Sequence, residues 1–267
     1  RPVRLLWQPA EERGSGARAM IDDGALDGVA MIFAGHVDRH HAAGTLVVTD
    51  GPVNAAADRF IVKFSGQQGH GARPHEALDA VVVGSLFVTA LQTIVSREVD
   101  PSHPSVVSVG KFHAGSAGNV IAGTAQLEGT IRSQEAEVRS HLKDSVERIA
   151  MAVAQLHDAV VEIDVSRGIP PVVNLPEVTA LARRAAETVV GSAAVESLRT
   201  VNMGAEDFGV YLEEVPGCYI RYGGRIPGRE GYPAHSSRFD FDETALAAGA
   251  AWLAEVARVA GRHLVET

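Results

Sequence analysis

Two carboxylates stand side by side in Gln8-Pro9-Ala10-Glu11-Glu12, and adjacent carboxylates repel unless a cation or a proton lies between them. Such a pair can divide its duties, one member binding a metal and the other moving a proton. Taken alone, it reads first as an acidic cap on the helix that follows. His36, Asp38, His40 and His41 crowd a short stretch with potential ligands, and His235 precedes the last helix. Each reads by itself as an ordinary loop histidine. Gly69-His70-Gly71-Ala72-Arg73-Pro74-His75 is a glycine-rich loop that lets backbone approach a ligand closely. Asn119 and Arg132 offer an amide and a guanidinium, the groups that recognise a carboxylate, with turn chemistry and a surface ion pair as the plainer alternative. Met203-Gly204-Ala205-Glu206-Asp207-Phe208 reads as a helix start with acid in its first turn.

The elements that position these residues follow from periodicity. An apolar run at 3–7 suggests a buried strand, a helical pattern occupies 14–24, and a second buried strand is expected at 29–33, ending in a loop at His36. This is the rhythm of a parallel α/β sheet, whose functional loops collect at strand carboxyl ends. From about residue 57 the rhythm changes. A strand at 59–64, a helix at 76–95 (Val83, Phe87, Leu91 and Ile94 on one face), strands at 105–112 and 122–131, a helix at 135–156 and a strand at 160–165 spell β-α-β-β-α-β, the ferredoxin-like unit. Val138, Leu142, Val146, Ile149, Val153 and Leu156 form the inner face of that second helix. The first rhythm returns with a helix at 176–190, another starting near Glu206, a strand at 218–222 and a closing helix at 243–264. In that last helix Leu246, Leu253, Val256, Ala260 and Leu264 are expected to face inward. The architecture predicted is an α/β domain over 1–56 and 169–267, interrupted by an inserted α+β domain over 57–168, with a cleft between them.

Composition narrows the function classes. In 267 residues, 33 Asp+Glu outnumber 24 Lys+Arg, so the chain lacks the cationic excess that neutralises phosphates, and a nucleic-acid partner is not expected. No uninterrupted apolar run of membrane-spanning length is found, so no membrane partner is expected either. The single cysteine, Cys218, makes no internal disulfide, and a reducing, cytoplasmic setting is the natural reading.

In order, QPAEE, His36, GHGARPH, GNVIAGTAQLEGTIRS, PPVVN, MGAEDF and HSSRFDFDE resemble the metal-dependent amidohydrolases that remove N-acyl groups from amino acids. That family holds the hippurate hydrolases and the hydrolases of auxin–amino-acid conjugates, within the wider group of two-metal aminoacylases and exopeptidases. The resemblance implies a metal-dependent α/β catalytic domain with an inserted ferredoxin-like lid that forms homodimers. It also implies two divalent ions (zinc, manganese, cobalt or nickel) and a small-molecule N-acyl amino acid as substrate. By the family motif, Glu12, His36 and His235 match metal ligands and Glu11 the general base. His70 matches a lid histidine that reaches the partner subunit's site, and Asn119 and Arg132 match lid positions that hold the substrate carboxylate. The family pattern gives Glu12 and His235 one metal and His36 the other. Three departures stand out. The family's CGHDGH motif, upstream of QPAEE, is not in this sequence, which implies a catalytic domain incomplete at its N-terminus and incomplete metal shells. Arg39 and Ser237 stand where the family has prolines. A related exopeptidase, a carbamoyl-amino-acid hydrolase and a non-catalytic dimeric remnant are the alternative readings.

Overall fold

A computed structural model of the chain describes residues 2–229 and 231–266. The chain divides into two compact units, one made of Arg1–Asn54, Val172–Asn202 and Glu206–Thr267, the other of Ala55–Pro171 with Met203–Ala205.

The first unit is built on a mixed four-stranded sheet. Its strands are β1 (Ile32–Ala42), β2 (Leu46–Val47), β11 (Val195–Glu196) and β12 (Gly217–Arg225), in the order β1-β12-β2-β11. β12 runs parallel to β1 and antiparallel to β2. A separate antiparallel pair joins β3 (Gly51–Asn54) to β10 (Val172–Asn174). Among the described residues, four helices accompany them: α1 (Gly16–Asp22), α4 (Pro176–Val190), α5 (Phe208–Leu212) and α6 (Thr244–Glu266). Leu46, Val48, Cys218, Ile220, Trp252 and Val256 form one apolar core, and Ala17, Ile32, Val53, Phe208, Tyr211 and Tyr219 another.

Three expectations fail in this unit. Residues 3–7 are not a strand, and Val3, Leu5 and Trp7 are exposed. An apolar run becomes a strand only when a neighbour takes up its N–H and C=O groups, and among the described residues none pairs with it. β1 starts later and runs further than its apolar core suggests. Pairing with β12 carries it through His36, opposite Arg221, and Asp38, opposite Gly223, so the expected histidine loop is a strand. In α6, Leu246 and Leu253 point outward, 61% and 41% exposed, while Ala245, Gly249, Trp252, Val256 and Ala260 face inward. The Trp252 indole sets this face, because its N–H donates to the Ala182 carbonyl of α4 at 3.1 Å.

The second unit is a four-stranded antiparallel sheet of β4 (Ala56–Ser65), β6 (Ser105–Ala114), β8 (Thr124–Ser133) and β9 (Val160–Ile169), ordered β6-β8-β4-β9. With α2 (Ala80–Thr93) after β4 and α3 (Ala136–Leu156) after β8, this is the ferredoxin-like arrangement. The Asp79 carboxylate caps α2 by accepting from the Val81 and Val82 amides. Its core holds Phe60, Phe64, Val83, Phe87, Leu91, Ile94, Leu142 and Val146. Leu156, expected inside, is 73% exposed at the last turn of α3. α2 and its continuation, Ala80–Glu98, are long and apolar enough by length and composition to cross a membrane. That corrects the expectation that no segment would be, which looked only for unbroken apolar runs; in this unit Phe87, Leu91 and Ile94 use that apolarity as core. A small hairpin of β5 (Gly69–His70) and β7 (Val120–Ile121) leaves the sheet where β4 ends.

Candidate active site

Glu11 and Glu12 sit on a tight turn. Ala10 and Gly14 both adopt left-handed backbone, φ 54° and 64°, around a single 3₁₀ turn at Glu11–Arg13. The chain doubles back so closely that a Cβ on Gly16 would lie 1.6 Å from the Pro9 carbonyl oxygen, and only glycine fits there. The turn points its two carboxylates at different partners. The Glu12 Oε2 lies 3.5 Å from the His235 Nδ1, from the other end of the chain. Two donors bound about 2.0–2.1 Å from one tetrahedral ion stand roughly 3.4 Å apart, so this pair has the spacing of two ligands on one metal.

Glu11 turns the other way. One of its oxygens lies with oxygens of Glu206 and Asp207, all within 4.8 Å of one another. Its carboxyl is pushed up to about 7, first by burial and then by the charges of Glu206, Asp207 and Glu12, with His235 opposing. The other two carboxylates are fully engaged. Glu206, 7% exposed, accepts from the Tyr219 hydroxyl and, at 3.2 Å, from the Phe208 amide. Asp207, 0% exposed, accepts from the Gln8 Nε2 at 2.6 Å and the Ala17 amide at 3.1 Å. Glu11 is the member of the group left free to exchange a proton.

His36 lies apart from this group, on β1. Its Nδ1 donates to the Val37 carbonyl at 2.7 Å, which leaves the Nε2 lone pair open to a metal. The neighbours that made the segment look ligand-rich have other work. Asp38 accepts from the His40 amide, and the His41 Nδ1 meets Glu196 at 2.8 Å. Arg39 donates to the Gly231 carbonyl at 2.7 Å, tying β1 to the loop that carries His235. Within that loop the Arg238 guanidinium lies 4.2 Å from the Tyr232 ring centre.

The three remaining candidates are in the second unit. His70 is on β5, and its Nδ1 accepts from the Ala72 amide at 3.0 Å. The neutral ring therefore carries its proton on Nε2 and can donate from there. Asn119 is beside it, because its carbonyl accepts from the Gly71 amide at 2.8 Å. Arg132 is not. It pairs with Ala57 and Val106 at the far end of β8, eight residues or about 27 Å from Thr124 at 3.4 Å per residue.

Residues 1–259 match the peptidase family M20/M25/M40. The chain belongs to that family. It is 36% identical to the N-acetyl-L-cysteine deacetylase of Bacillus subtilis over 96% of this chain and 60% of that protein. It is also 36% identical to thermostable carboxypeptidase 2 of Saccharolobus solfataricus, over 93% of this chain and 63% of the other. Among solved structures, a dinuclear metal-binding M20 peptidase of B. subtilis matches with a TM-score of 0.76 and 29% identity, over 94% of this chain and 62% of that one. This M20 chain thus spans less than two thirds of the length of the curated relatives it matches.

Sequence reasoning took Glu206 and Asp207 as a helix start with acid in its first turn and, although MGAEDF is among the family motifs, gave neither residue a role. Their signal was the setting: the pair is followed directly by Phe208 in a run that the fold buries. The groups that satisfy them, Gln8, Ala17 and Tyr219, are distant in sequence.

Proposed function

We propose that this M20 chain belongs to a metal-dependent hydrolase that cleaves the amide bond of N-acyl amino acids, releasing a carboxylic acid and an amino acid. The observation that carries the reading is the approach of Glu12 to His235 beside a Glu11 whose carboxyl is raised to about 7. In this reading the first unit is the catalytic domain and the second the lid. Glu12 and His235 hold one divalent ion and the Nε2 of His36 serves a second, with zinc, manganese, cobalt and nickel all compatible with such ligands. When bound, the ions polarise the amide carbonyl and acidify the attacking water.

The remaining work falls to the protein's own groups. Glu11 takes a proton from the water as its oxygen bonds to the carbonyl carbon. It returns that proton to the leaving nitrogen as the C–N bond breaks. A carboxyl raised to about 7 suits both halves of that cycle. The Nε2–H of His70 donates to the oxyanion. Asn119 and Arg132 hold the substrate carboxylate. Because Asn119 lies beside the β5–β7 hairpin and Arg132 at the far end of β8, they serve a single carboxylate only when two copies of the lid contribute, which favours a homodimer. Two features of the lid support that partner. β6 is an edge strand with unpaired backbone groups. The outer face of α2 exposes Val81, Val82 and Leu86 on a helix without a charged residue.

The second reading, an exopeptidase, is favoured by the likeness to the S. solfataricus carboxypeptidase. Assay of the metal-loaded protein on N-acyl amino acids and on dipeptides separates the two, and faster dipeptide cleavage would overturn the first. Glu11→Gln is expected to lower kcat by about 10²–10⁴-fold with metal content unchanged. Equal loss of metal would show that Glu11 and Glu12 exchange roles.

A further inference from the structure

Within residues 8–17 the turn's own backbone bonds run from Ala10 to Ser15 and leave both of its ends untied. Among the described residues no strand pairs with residues 2–10. The 3₁₀ turn at Glu11–Arg13 is three residues long. Ala10 is held in left-handed backbone, which a non-glycine residue disfavours. Ser15, at the N-cap of α1, makes no side-chain cap hydrogen bond. Bonds from outside the turn therefore add to the local ones in setting where Glu11 and Glu12 stand.

Asp207 supplies them. One oxygen of this wholly buried carboxylate accepts from the Gln8 side chain, where the chain enters the turn, and the other accepts from the Ala17 amide, where it leaves. The two bonds close the turn like a clasp. The clasp is itself anchored, because the preceding residue, Glu206, is bound by the Tyr219 hydroxyl of β12. Tyr219 in turn is fixed through its own amide, which donates to the Asn174 Oδ1 at 2.7 Å.

We propose that Asp207 is the positioning residue of the catalytic turn, setting where Glu11 and Glu12 stand by bonding Gln8 and Ala17 together. The inference rests on the reading of Glu11 and Glu12 given above. A fixed carboxylate matters there because a misplacement of about 1 Å in a reacting or ligating group is enough to cost some 10²-fold in rate. Gln8 is then a partner in positioning and touches no reacting atom.

The test combines hydrogen exchange, read by mass spectrometry on peptides covering residues 8–17, with cobalt(II) titration followed by absorbance. Gln8→Met removes one arm of the clasp and leaves the buried Asp207 in place. Exchange in 8–17 is expected to rise about tenfold, the equivalent of one hydrogen bond to a charged group, with peptides elsewhere unchanged, and cobalt affinity to fall at least tenfold. Asp207→Asn is the conservative rescue. Its carbonyl oxygen can accept from Ala17, and Gln8 can turn its amide to accept from the new Nδ2, so both readouts should stay within about threefold of the parent, less than one such bond. Asp207→Leu should lose both arms, and if it does not fold, the Gln8 variant decides alone. Unchanged exchange at 8–17 in Gln8→Met, or a rise spread evenly over the whole chain, overturns the proposal. His235→Ala serves as the metal control. If the parent binds no more cobalt than His235→Ala, the metal reading falls, and exchange by itself still judges the clasp.

Discussion

The buried ion pair in the second unit gives a stability prediction whose size follows from its contacts. Asp58 lies on β4 with its side chain fully enclosed, and Arg139 reaches it from α3. The Arg139 Nε and Nη2 bind the two carboxylate oxygens at 2.6 and 2.7 Å, and the Gly168 amide adds a third bond at 2.8 Å. Arg139 also reaches the Gly168 and Ile169 carbonyls of β9 at 3.2 and 3.3 Å. Asp58→Ala strips three charge-assisted bonds and leaves the buried Arg139 guanidinium without a counter-charge there, with the Gly168 and Ile169 carbonyls as its remaining partners. Removing one partner of a buried pair destabilises by about 3–5 kcal/mol. With a urea m-value of about 2 kcal/mol/M, the midpoint should fall by about 1.5–2.5 M.

The assay can assign this loss to the correct unit. Both tryptophans, Trp7 and Trp252, lie in the first unit, so their fluorescence follows that unit while circular dichroism follows both. The expected result is a midpoint shift in dichroism with fluorescence unmoved. Adding Arg139→Met to Asp58→Ala removes the stranded charge, so the double variant should be more stable than the single one. The pH dependence has a definite sign. Burial raises the Asp58 carboxyl, but the Arg139 and Gly168 hydrogen bonds with the Arg139 and Lys143 charges outweigh it and hold the group below its ordinary 3.8. A depressed folded value means that the stabilisation is complete above that ordinary value and is lost as pH falls through the lower one. The gap between parent and Asp58→Ala should therefore close on acidification below about pH 4. A loss under about 1 kcal/mol, the size of a surface pair, or a double variant less stable than Asp58→Ala, would refute the reasoning.

Three further outcomes are expected. Gly16→Ala drives a methyl into the Pro9 carbonyl, so it should open the Glu11–Glu12 turn and abolish cobalt binding, and unchanged titration would count against the described turn. Mixed dimers of a His70→Ala chain with a Glu11→Gln chain should recover part of the activity that each homodimer lacks; no recovery in verified mixed dimers would show that His70 does not act across subunits. Arg39→Ala frees the middle of the loop from β1, so trypsin should cut after Arg229 and Arg238 about tenfold faster, as loss of one charge-assisted bond implies, and equal cleavage rates would remove Arg39 from that role.

What the sequence made legible depends on the range of the force involved. The faces of α2 and of most of α3 could be read because each helix buries a stripe against a sheet formed by its own immediate neighbours in the chain. The pattern failed in α6, where leucine content pointed to one face and the fold chose another. Trp252 and Gly249 decided it, the first through its bond to Ala182 and the second by letting the Tyr222 ring approach to 3.1 Å of where a Cβ would stand. Residues 3–7 failed for the same kind of reason, since a strand is a property of two segments and only one was being read.

The candidate site follows this division. Taken singly, Glu11, Glu12 and His235 read as a cap and a loop histidine, and it was the resemblance of the ordered motifs that gave them metal and proton roles. Nothing local gave the placement of Glu12 against His235. Nor could a local reading separate Glu206 and Asp207 from the many acidic residues that begin helices in water. What makes those two different is burial, and burial is tolerable for each only because Gln8, Ala17 and Tyr219 arrive from elsewhere to satisfy it. A carboxylate fully enclosed and doubly hydrogen-bonded costs desolvation that a solvated cap never incurs. Asp207 spends that cost at the turn that carries Glu11 and Glu12, bonding its entry at Gln8 to its exit at Ala17.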